Sequence, residues 1–294
     1  MTRRSSATFV LGLMALTGAW PRAGAGQDDP QALQRMVASE RAFAAATAEI
    51  GTRDGFLAFF AADSLRIDPT VGGRDARVVP AVPGLAAQPL APLPLGAVLV
   101  WNPFTGQIAD DQSIGWLTGP FVALDKVTGE VAGQGAYFSV WKRQPDGTWR
   151  VWLDEGVSLP EIWRDATDFL AALPPGGGRG GTPDETIDQA ETAIAAGGDA
   201  WRGRWSDSVR IHRQGRMPIV GRSAAVPWSR EVWSGVTFHR VQVESSSTND
   251  FAVVLGGYEA KVGAGTERGT WARVWRRDIQ GRWRIVFETS KVVA

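Results

Sequence analysis

The sequence predicts an α+β fold built from two similar halves, and three observations lead to this prediction. Residues 135–154 match residues 269–288 without a gap at an offset of 134, and segments 63–68 and 207–212 match at an offset of 144. Within the long segments apolar and polar residues alternate, which is typical of β-strands. Before them, apolar residues recur at helical spacing in both halves. We therefore expect helices followed by an antiparallel sheet in each half.

Each long repeated segment has the pattern of a β-hairpin. Turn residues at 145–147 and 279–281 separate two runs of alternating residues. One face of these strands is apolar, and we expect it to pack on helices; its members are Trp149, Val151, Leu153, Trp283, Ile285 and Phe287. The opposite face mixes tryptophan and arginine, and its members are Trp141, Arg150, Trp275 and Arg284.

Four further segments have helical patterns. A helix opens at residues 29–30, and a short buried helix covers 53–62. In the second half a helix begins at 182–185, and an amphipathic helix at 162–173 lies between the halves. The Gly/Pro-rich residues 174–183 form a linker by composition.

The composition excludes several kinds of site. Lys+Arg and Asp+Glu each total 31, so the net charge is zero and nothing indicates a nucleic-acid partner. Without cysteine the chain has no disulfide, thiol nucleophile or cysteine-bound metal. With His212 and His239 as its two histidines, it has no three-histidine metal site. We expect neither a metal nor another cofactor.

The first 25 residues have the pattern of a secretory signal peptide. Arg3 and Arg4 precede a 14-residue apolar run at 7–20, and small residues follow at 23–25. The run is shorter than the roughly 20 residues that span a bilayer, and an uncleaved anchor is the alternative. We expect cleavage after Ala25, a periplasmic or secreted mature protein, and no membrane association after cleavage.

The order of these features resembles that of the nuclear transport factor 2-like superfamily, in particular its SnoaL-like members of unassigned function. The matching segments keep the same order in both halves: 40–43, 56–57, 63–68, 72–74 and 139–154, then 207–212, 221–222 and 273–288. A stretch with five prolines, residues 80–94, departs from the pattern in the first half.

The resemblance implies two tandem domains, 29–160 and 184–294, joined by the helix and linker of 161–183. Each domain would be a cone, in which a curved antiparallel sheet wraps around N-terminal helices and encloses an apolar pocket. Such domains often pair sheet face to sheet face. We therefore expect an intramolecular pseudo-dimer in which the Trp/Arg faces meet. The alternative is that these faces are exposed to solvent.

The resemblance also directs attention to polar residues that could point into a cone, because enzymes of this superfamily use buried Asp, His or Tyr side chains there. Asp68 and His212 hold equivalent positions at the end of the first strand, and either could act as a general base. The alternative is that each contacts only backbone or solvent at the strand end.

The last strand of each half carries an acidic residue at the same place, Asp154 or Glu288. Both lie on the arginine-bearing side, where we expect ion pairs with Arg150 and Arg284. In this interpretation both carboxylates are structural.

Four residues are candidates for ligand contact: Trp101, Trp116, Trp228 and His239. The tryptophans could line a pocket or fill the core, which is the default place of tryptophan in a small domain. His239 alternates with Val241 and Val243 on one face of a strand, and a core histidine is its alternative role.

These observations favour an exported, non-catalytic tandem cone protein that binds a small apolar or amphipathic molecule or acts as an accessory scaffold. The first half contains no histidine, so the two cones cannot share a histidine-based mechanism. The alternative is a cofactor-free lyase, isomerase or hydrolase with an Asp or His general base in one cone. A structural partner of an envelope protein is the third hypothesis.

Overall fold

The computed structural model describes residues 29–87, 97–164 and 168–293, which fold as two α+β halves. The predicted signal peptide, residues 1–25, lies outside the described residues, as does part of the proline-rich stretch. Within the described ranges, none of the helices is both long and apolar enough to cross a membrane. The same ranges contain no group of three His, Cys, Asp or Glu side chains placed to hold a metal ion.

The first half combines helices with a large mixed sheet. Its helices are α1 (Ala32–Ile50), α2 (Thr52–Phe59) and α3 (Ala81–Ala87). Its strands are β1 (Phe60–Ile67), β2 (Val78–Pro80), β3 (Ala97–Trp101), β4 (Thr105–Ile108), β5 (Ile114–Asp125), β6 (Val131–Arg143), β7 (Trp149–Ser158) and β8 (Leu170–Ala171). The sheet order is β2–β1–β7–β6–β5–β4–β8, and β3 also pairs with β5.

The second half repeats this plan. Its helices are α4 (Ile187–Ile194), α5 (Gly198–Arg204) and α6 (Arg222–Val232). Its strands are β9 (Trp205–Arg213), β10 (Arg216–Val220), β11 (Gly235–Ser245), β12 (Phe251–Val262), β13 (Gly265–Arg277) and β14 (Trp283–Val292). The sheet order is β10–β9–β14–β13–β12–β11.

Both sheets are mixed, whereas the sequence predicted antiparallel ones. The first strand of each half runs parallel to the last, β1 beside β7 and β9 beside β14. Two parallel strands can be neighbours only if a long connection joins them. Here all the elements between the first and the last strand of each half form that connection. The repeated hairpins are confirmed, because β6 pairs antiparallel with β7 and β13 with β14.

The two hairpins share an irregularity at the same place. The register shifts between Val140 and Trp141 in β6, and between Val274 and Trp275 in β13. Such a bulge gives the partner strand one extra residue and interrupts the alternation of its side chains. Faces deduced by strict alternation along β7 and β14 are therefore wrong beyond this point.

The repeated tryptophans lie inside the cones, which corrects the predicted orientation of the sheets. Trp141 packs with Trp149 and Val151 in the core of the first half, and Trp275 packs in the core of the second. The Trp/Arg faces therefore do not meet between the halves. Because of the bulge, Leu153 belongs to the opposite face from Val151 and joins the contact between the sheets.

An apolar cluster on the outer faces of both sheets joins the halves. At its centre, the ring of Phe287 lies 4.5 Å from that of Phe138 and 4.9 Å from that of Trp116. The other buried members are Ile67, Ala109, Ile114, Val140, Trp152, Leu153, Phe251, Val253, Leu255, Ala272, Val274 and Val286. The outer faces are thus buried against each other and are apolar.

A 3₁₀ turn of the first half, Gly73–Asp75, packs against the sheet of the second half. A Cβ atom at Gly257 would stand 1.9 Å from the carbonyl oxygen of Gly73, so this approach requires glycine. Ion pairs also cross the boundary, between Lys291 and Glu155 at 2.6 Å and between Arg276 and Asp110 at 3.1 Å.

The amphipathic helix predicted for 162–173 is absent from the described residues. Residues 162–164 are irregular, and β8 (Leu170–Ala171) pairs with β4 at the edge of the first sheet. Residues 165–167 are outside the described part of the chain. Leu170 is 64% exposed, so the apolar spacing does not mark a buried helix face. Pairing with a free sheet edge has overridden the local helical pattern.

The predicted helix of the second half begins later than expected. Thr186 is its N-cap, and a capping box joins the Thr186 and Gln189 side chains to each other's backbone amides. Residues 174–183 precede it and lie along the second half, where Arg284 donates to the carbonyl oxygens of Arg179 and Gly180.

Candidate functional site

A buried carboxylate organises the interior of the first cone. Glu40 on α1 is fully buried and accepts hydrogen bonds from Trp101 Nε1 at 2.6 Å, Ser139 Oγ at 2.5 Å and Trp141 Nε1 at 2.7 Å. Burial raises the pKa of the Glu40 carboxyl, while the three hydrogen bonds act in the opposite direction. Glu40 thus fixes two tryptophans that come from different strands.

An apolar cavity of about 130 Å³ opens beside this cluster. Its wall consists mainly of aromatic and aliphatic side chains, with polar groups from β6 and β7: Phe56, Leu99, Trp101, Phe121, Tyr137, Asp154, Glu155 and Gly156. Its volume is similar to that of an apolar cavity of about 150 Å³ that holds benzene in another protein. The cavity is large enough for a single ring.

Tyr137 and Asp154 supply the polar groups of the cavity. They lie on the paired strands β6 and β7, where Tyr137 is opposite Gly156 and Asp154 is opposite Ser139. The Tyr137 hydroxyl is buried and has no hydrogen-bond partner among the described residues. Asp154 is half-buried, and within the described ranges its carboxylate neither accepts a hydrogen bond nor forms an ion pair.

The environment raises the pKa of both groups. Burial raises the pKa of Asp154 well above its ordinary value, and the charges of Glu40 and Glu155 act in the same direction. Burial also raises the pKa of Tyr137, with the charges of Glu40 and Asp154 adding to the effect. The phenol therefore stays protonated and able to donate. The pair can bind a polar group or exchange a proton with it.

The second cone has the same scaffold, but an arginine occupies its interior. Arg273 is fully buried and pairs with Glu288, and its Nη1 lies 3.1 Å from Glu191. The guanidinium is 3.9 Å from the ring centroids of both Phe238 and Trp271. The guanidinium therefore pairs with both carboxylates of this cone, and the ring contacts stabilise the guanidinium itself.

One repeat position accounts for the difference between the cones. Ser139 in β6 corresponds to Arg273 in β13, and Asp154 corresponds to Glu288. Of the two acidic residues Glu40 and Asp154, the serine hydroxyl bonds to Glu40, whereas the guanidinium contacts both acidic residues of its cone. Asp154 therefore lacks the positive partner that neutralises its counterpart. We identify the Asp154 end of the first cavity as the candidate site.

Among the residues proposed from the sequence, Trp101 lies at this cavity and Asp68 does not. The Asp68 carboxylate accepts hydrogen bonds from Thr70 and pairs with Arg77 at 2.7 Å. These contacts, those of Thr70 above all, lower the pKa of Asp68 to about 2. Its surroundings do not support the predicted role as a general base.

His212 and Trp116 belong to the boundary between the halves. His212 is fully buried, and its ring meets Trp163 at 5.8 Å and Phe287 at 4.9 Å edge to face. Neither ring nitrogen has a partner among the described residues. Burial lowers the pKa of His212 well below its ordinary value, and the charge of Arg210 acts in the same direction. The imidazole is therefore neutral.

Trp228 and His239 lie in the second half and do not share a site. Trp228 on α6 is buried in the second core, with its ring 6.1 Å from that of Trp233. His239 on β11 is half-buried, pointing away from the face of the buried Phe238. A register shift at 240–242 interrupts the alternation on which its predicted face depended. The sequence candidates thus lie in separate places.

The predicted ion pairs of the last strands are wrong. Arg150 donates to the carbonyl oxygen of Ala58, and Arg284 pairs with Asp278 at 2.9 Å. Asp154 has no ion-pair partner among the described residues, and Glu288 pairs with Arg273 on the neighbouring strand. Periodicity along one strand cannot reveal such a contact between strands. The serine-to-arginine difference within the aligned repeats was the signal that could have found the site.

The sequence matches no family model and no curated protein at a significant level. Solved structures that resemble the chain include an NTF-2 like protein of unknown function from Shewanella oneidensis, at 17% identity and a TM-score of 0.27, covering 32% of this chain and 81% of that one. A ketosteroid isomerase-like protein from Erwinia carotovora atroseptica has 18% identity and a TM-score of 0.33, covering 37% and 95%. A conserved protein from Planctomyces limnophilus has 14% identity and a TM-score of 0.30, covering 37% and 94%.

The two halves share one arrangement of helices and strands. In each half a curved mixed sheet packs on the preceding helices, and its first strand lies parallel to its last. Each half thus combines one mixed sheet with helices that precede it in the chain, and the second half repeats the plan of the first. The predicted α+β fold class, with two similar halves in tandem, is confirmed. Identities of 14–18% carry no statement about function.

Proposed function

We propose that the first cone binds a small, mainly apolar molecule with one hydrogen-bonding group, while the second cone is a scaffold. The two form an intramolecular pseudo-dimer, and the chain is exported by the signal peptide that the sequence predicts. One observation carries the binding proposal. At the end of an aromatic-lined cavity, Asp154 forms no ion pair with any described residue, whereas Arg273 pairs with its counterpart Glu288.

The chemistry of the cavity wall supports this class of ligand. Phe56, Leu99 and Phe121 offer apolar contact, which gives affinity for a ring. Tyr137 offers a donor and Asp154 an acceptor, so that a hydroxyl or carbonyl group on the ring can be oriented. An anionic ligand is disfavoured because the two carboxyl side chains that line the cavity, Asp154 and Glu155, are acidic and no basic side chain among the described residues lines it.

Calorimetric titration with para-cresol and with toluene tests the proposal. We expect cresol to bind more tightly than toluene. Leu99→Trp, which fills the cavity, should abolish binding of both. Tyr137→Phe and Asp154→Asn should each weaken cresol binding by about three- to tenfold, the value of one hydrogen bond. Asp63→Asn changes an exposed aspartate of the same half and should have no effect. Equal cresol affinity in wild type and Leu99→Trp would exclude the cavity as the site.

A second candidate function is proton transfer to and from a bound carbon acid. The raised pKa of Asp154 favours it, because a carboxylate with a raised pKa is a stronger base. Exchange of the α-protons of cyclohexanone in deuterated water, followed by NMR, gives the test. If the exchange is faster with wild type than with Asp154→Asn, the result supports catalysis. If the two rates are equal, the result supports binding without catalysis.

A further inference from the structure

A second cavity lies between the two halves, outside both cones. We call it the interdomain cleft, and its volume is about 220 Å³. Its wall is formed by residues of the two halves: Phe104, Thr105, Trp116 and Leu170 to Leu173 from the first, and Ser208, Arg210, Val220 and Val286 from the second. None of these lining residues is acidic.

Strand β9 determines which side chains reach the cleft. Val209 and Ile211 face the core of the second half. Ser208, Arg210 and His212 alternate with them, so they share the opposite face, which is turned toward the first half. A cationic side chain is therefore placed on the face that meets the apolar boundary between the halves.

The guanidinium of Arg210 lies over two aromatic rings of the first half. It lies 5.2 Å from the ring centroid of Phe104 and 5.4 Å from that of Trp163. Among the described residues it forms neither a hydrogen bond nor an ion pair. Burial lowers the pKa of Arg210 to about 10, with no carboxylate acting against that effect. The side chain is still charged at neutral pH.

Other arginines with little-exposed side chains have carboxylate partners. They are Arg204 with Glu185, Arg213 with Glu267, Arg273 with Glu288, Arg276 with Asp250, and Arg284 with Asp278. Among the described residues, the most deeply buried guanidinium groups are thus neutralised by a carboxylate. Desolvating a charge without a counterion is costly, so the arrangement at Arg210 points to a counterion from outside.

The cleft also has a second unused donor. The indole N–H of Trp116 is buried and has no acceptor among the described residues. The hydroxyls of Thr105 and Ser208 lie on the same wall. A carboxylate offers two acceptor oxygens that match a guanidinium, and the flat rings of Phe104 and Trp116 suit an aromatic body.

We propose that the interdomain cleft binds a small aromatic carboxylate, with its carboxylate on Arg210 and its ring among Phe104, Trp116 and Val286. This site is separate from the cavity of the first cone. It selects an anionic ligand, which the cavity of the first cone disfavours. Its ligand would contact both halves, so that binding would stabilise their contact.

Calorimetric titration with benzoate tests the proposal, with benzamide as a neutral probe of the same shape. We expect benzoate to bind wild type and benzamide to bind at least tenfold more weakly. Arg210→Gln should weaken benzoate binding about tenfold or more, the effect of losing a charge-assisted contact. Arg216→Gln is the matched control, because this exposed arginine lies over Trp228, away from the cleft.

Three further variants separate the alternatives. Asp154→Asn should leave benzoate affinity unchanged, since it alters only the first cone. Trp116→Phe should reduce affinity if the indole N–H contributes. Asp165→Asn tests an acidic residue close in sequence to Trp163. Benzoate binding that is present in wild type and unchanged in Asp165→Asn supports the proposal. Binding that appears only in Asp165→Asn, or that survives Arg210→Gln undiminished, overturns it.

Discussion

Asp154 and Glu288 occupy the same position in the last strand of the two cones, yet only Glu288 faces an arginine. Arg273 binds Glu288 and Glu191 together, whereas Asp154 opens on an apolar cavity. An ion-pair network thus fills the interior of the second cone, whereas the equivalent position in the first cone borders a cavity. Buried networks of this kind fix an interior, whereas a carboxylate kept without a partner is typical of functional sites.

Asp154→Asn should make the protein more stable at neutral pH. Because the folded-state pKa of Asp154 is raised, the folded protein binds this proton more tightly than the unfolded chain does. The wild type therefore loses stability as pH rises above the unfolded value of about 4 and through the raised pKa. Asparagine does not titrate, so the variant should have a free energy of unfolding about 1 kcal/mol higher than wild type at pH 8. Urea unfolding at pH 5 and pH 8 measures it; a variant less stable than wild type at pH 8 contradicts it.

Arg273→Ser gives the second cone the residue of the first and should be strongly destabilising. It leaves Glu191 and Glu288 buried without their cation, which costs about 3–5 kcal/mol. The loss should shrink at acidic pH, where the carboxyls take up protons. Arg268→Ser is the control, because that arginine is 64% exposed in its pair with Glu259. A pH-independent loss in Arg273→Ser would show that packing, and not charge, is the cause.

Phe287→Ala should loosen the contact between the halves. Its ring stacks on Phe138 and lies against Trp116, so truncation leaves a cavity that costs about 3–5 kcal/mol. We expect thermal unfolding to change from one transition to two, because the contact that couples the cones is weakened. Ile279→Ala is the control, at a side chain that is 90% exposed. Two transitions already in wild type would contradict a coupled pair of cones.

His212→Leu should make the protein less sensitive to acid. The folded-state pKa of His212 is lowered, so on acidification the unfolded chain takes up this proton first. The wild type therefore loses stability as pH falls below about 6.5, and leucine removes that contribution. The slope of unfolding free energy between pH 7.5 and pH 5 gives the measurement. An equal slope in both proteins would mean that His212 titrates normally and is not sealed at the boundary.

The repeat made the two-part organisation predictable, because the match of 135–154 with 269–288 placed one hairpin in each half. The bulge after Val140 and Val274 was not predictable, since an extra residue in one strand leaves no mark on the alternation of apolar residues. It moved Leu153 and Phe287 to the face between the halves, away from the face of Val151 and Ile285. The helix predicted at 162–173 was wrong for a related reason, because residues 170–171 pair with the free edge of the first sheet instead.

The candidate site was only partly predictable. Trp101 was among the residues proposed, but Asp68 and His212 were chosen for their equivalence and lie away from the cavity of the first cone. Asp154 was assigned to an arginine that in fact bonds elsewhere. Partners across a sheet depend on register, which a single sequence does not specify.

The central claim is that the first cone is open to a ligand and the second is closed. Its most direct test is a crystal soaked with 4-bromophenol, in which the anomalous signal of bromine marks the bound ring. The account predicts bromine in the first cone among Phe56, Leu99 and Phe121, with the phenol oxygen toward Tyr137 and Asp154. Bromine inside the second cone, or its absence from the first, would contradict the account.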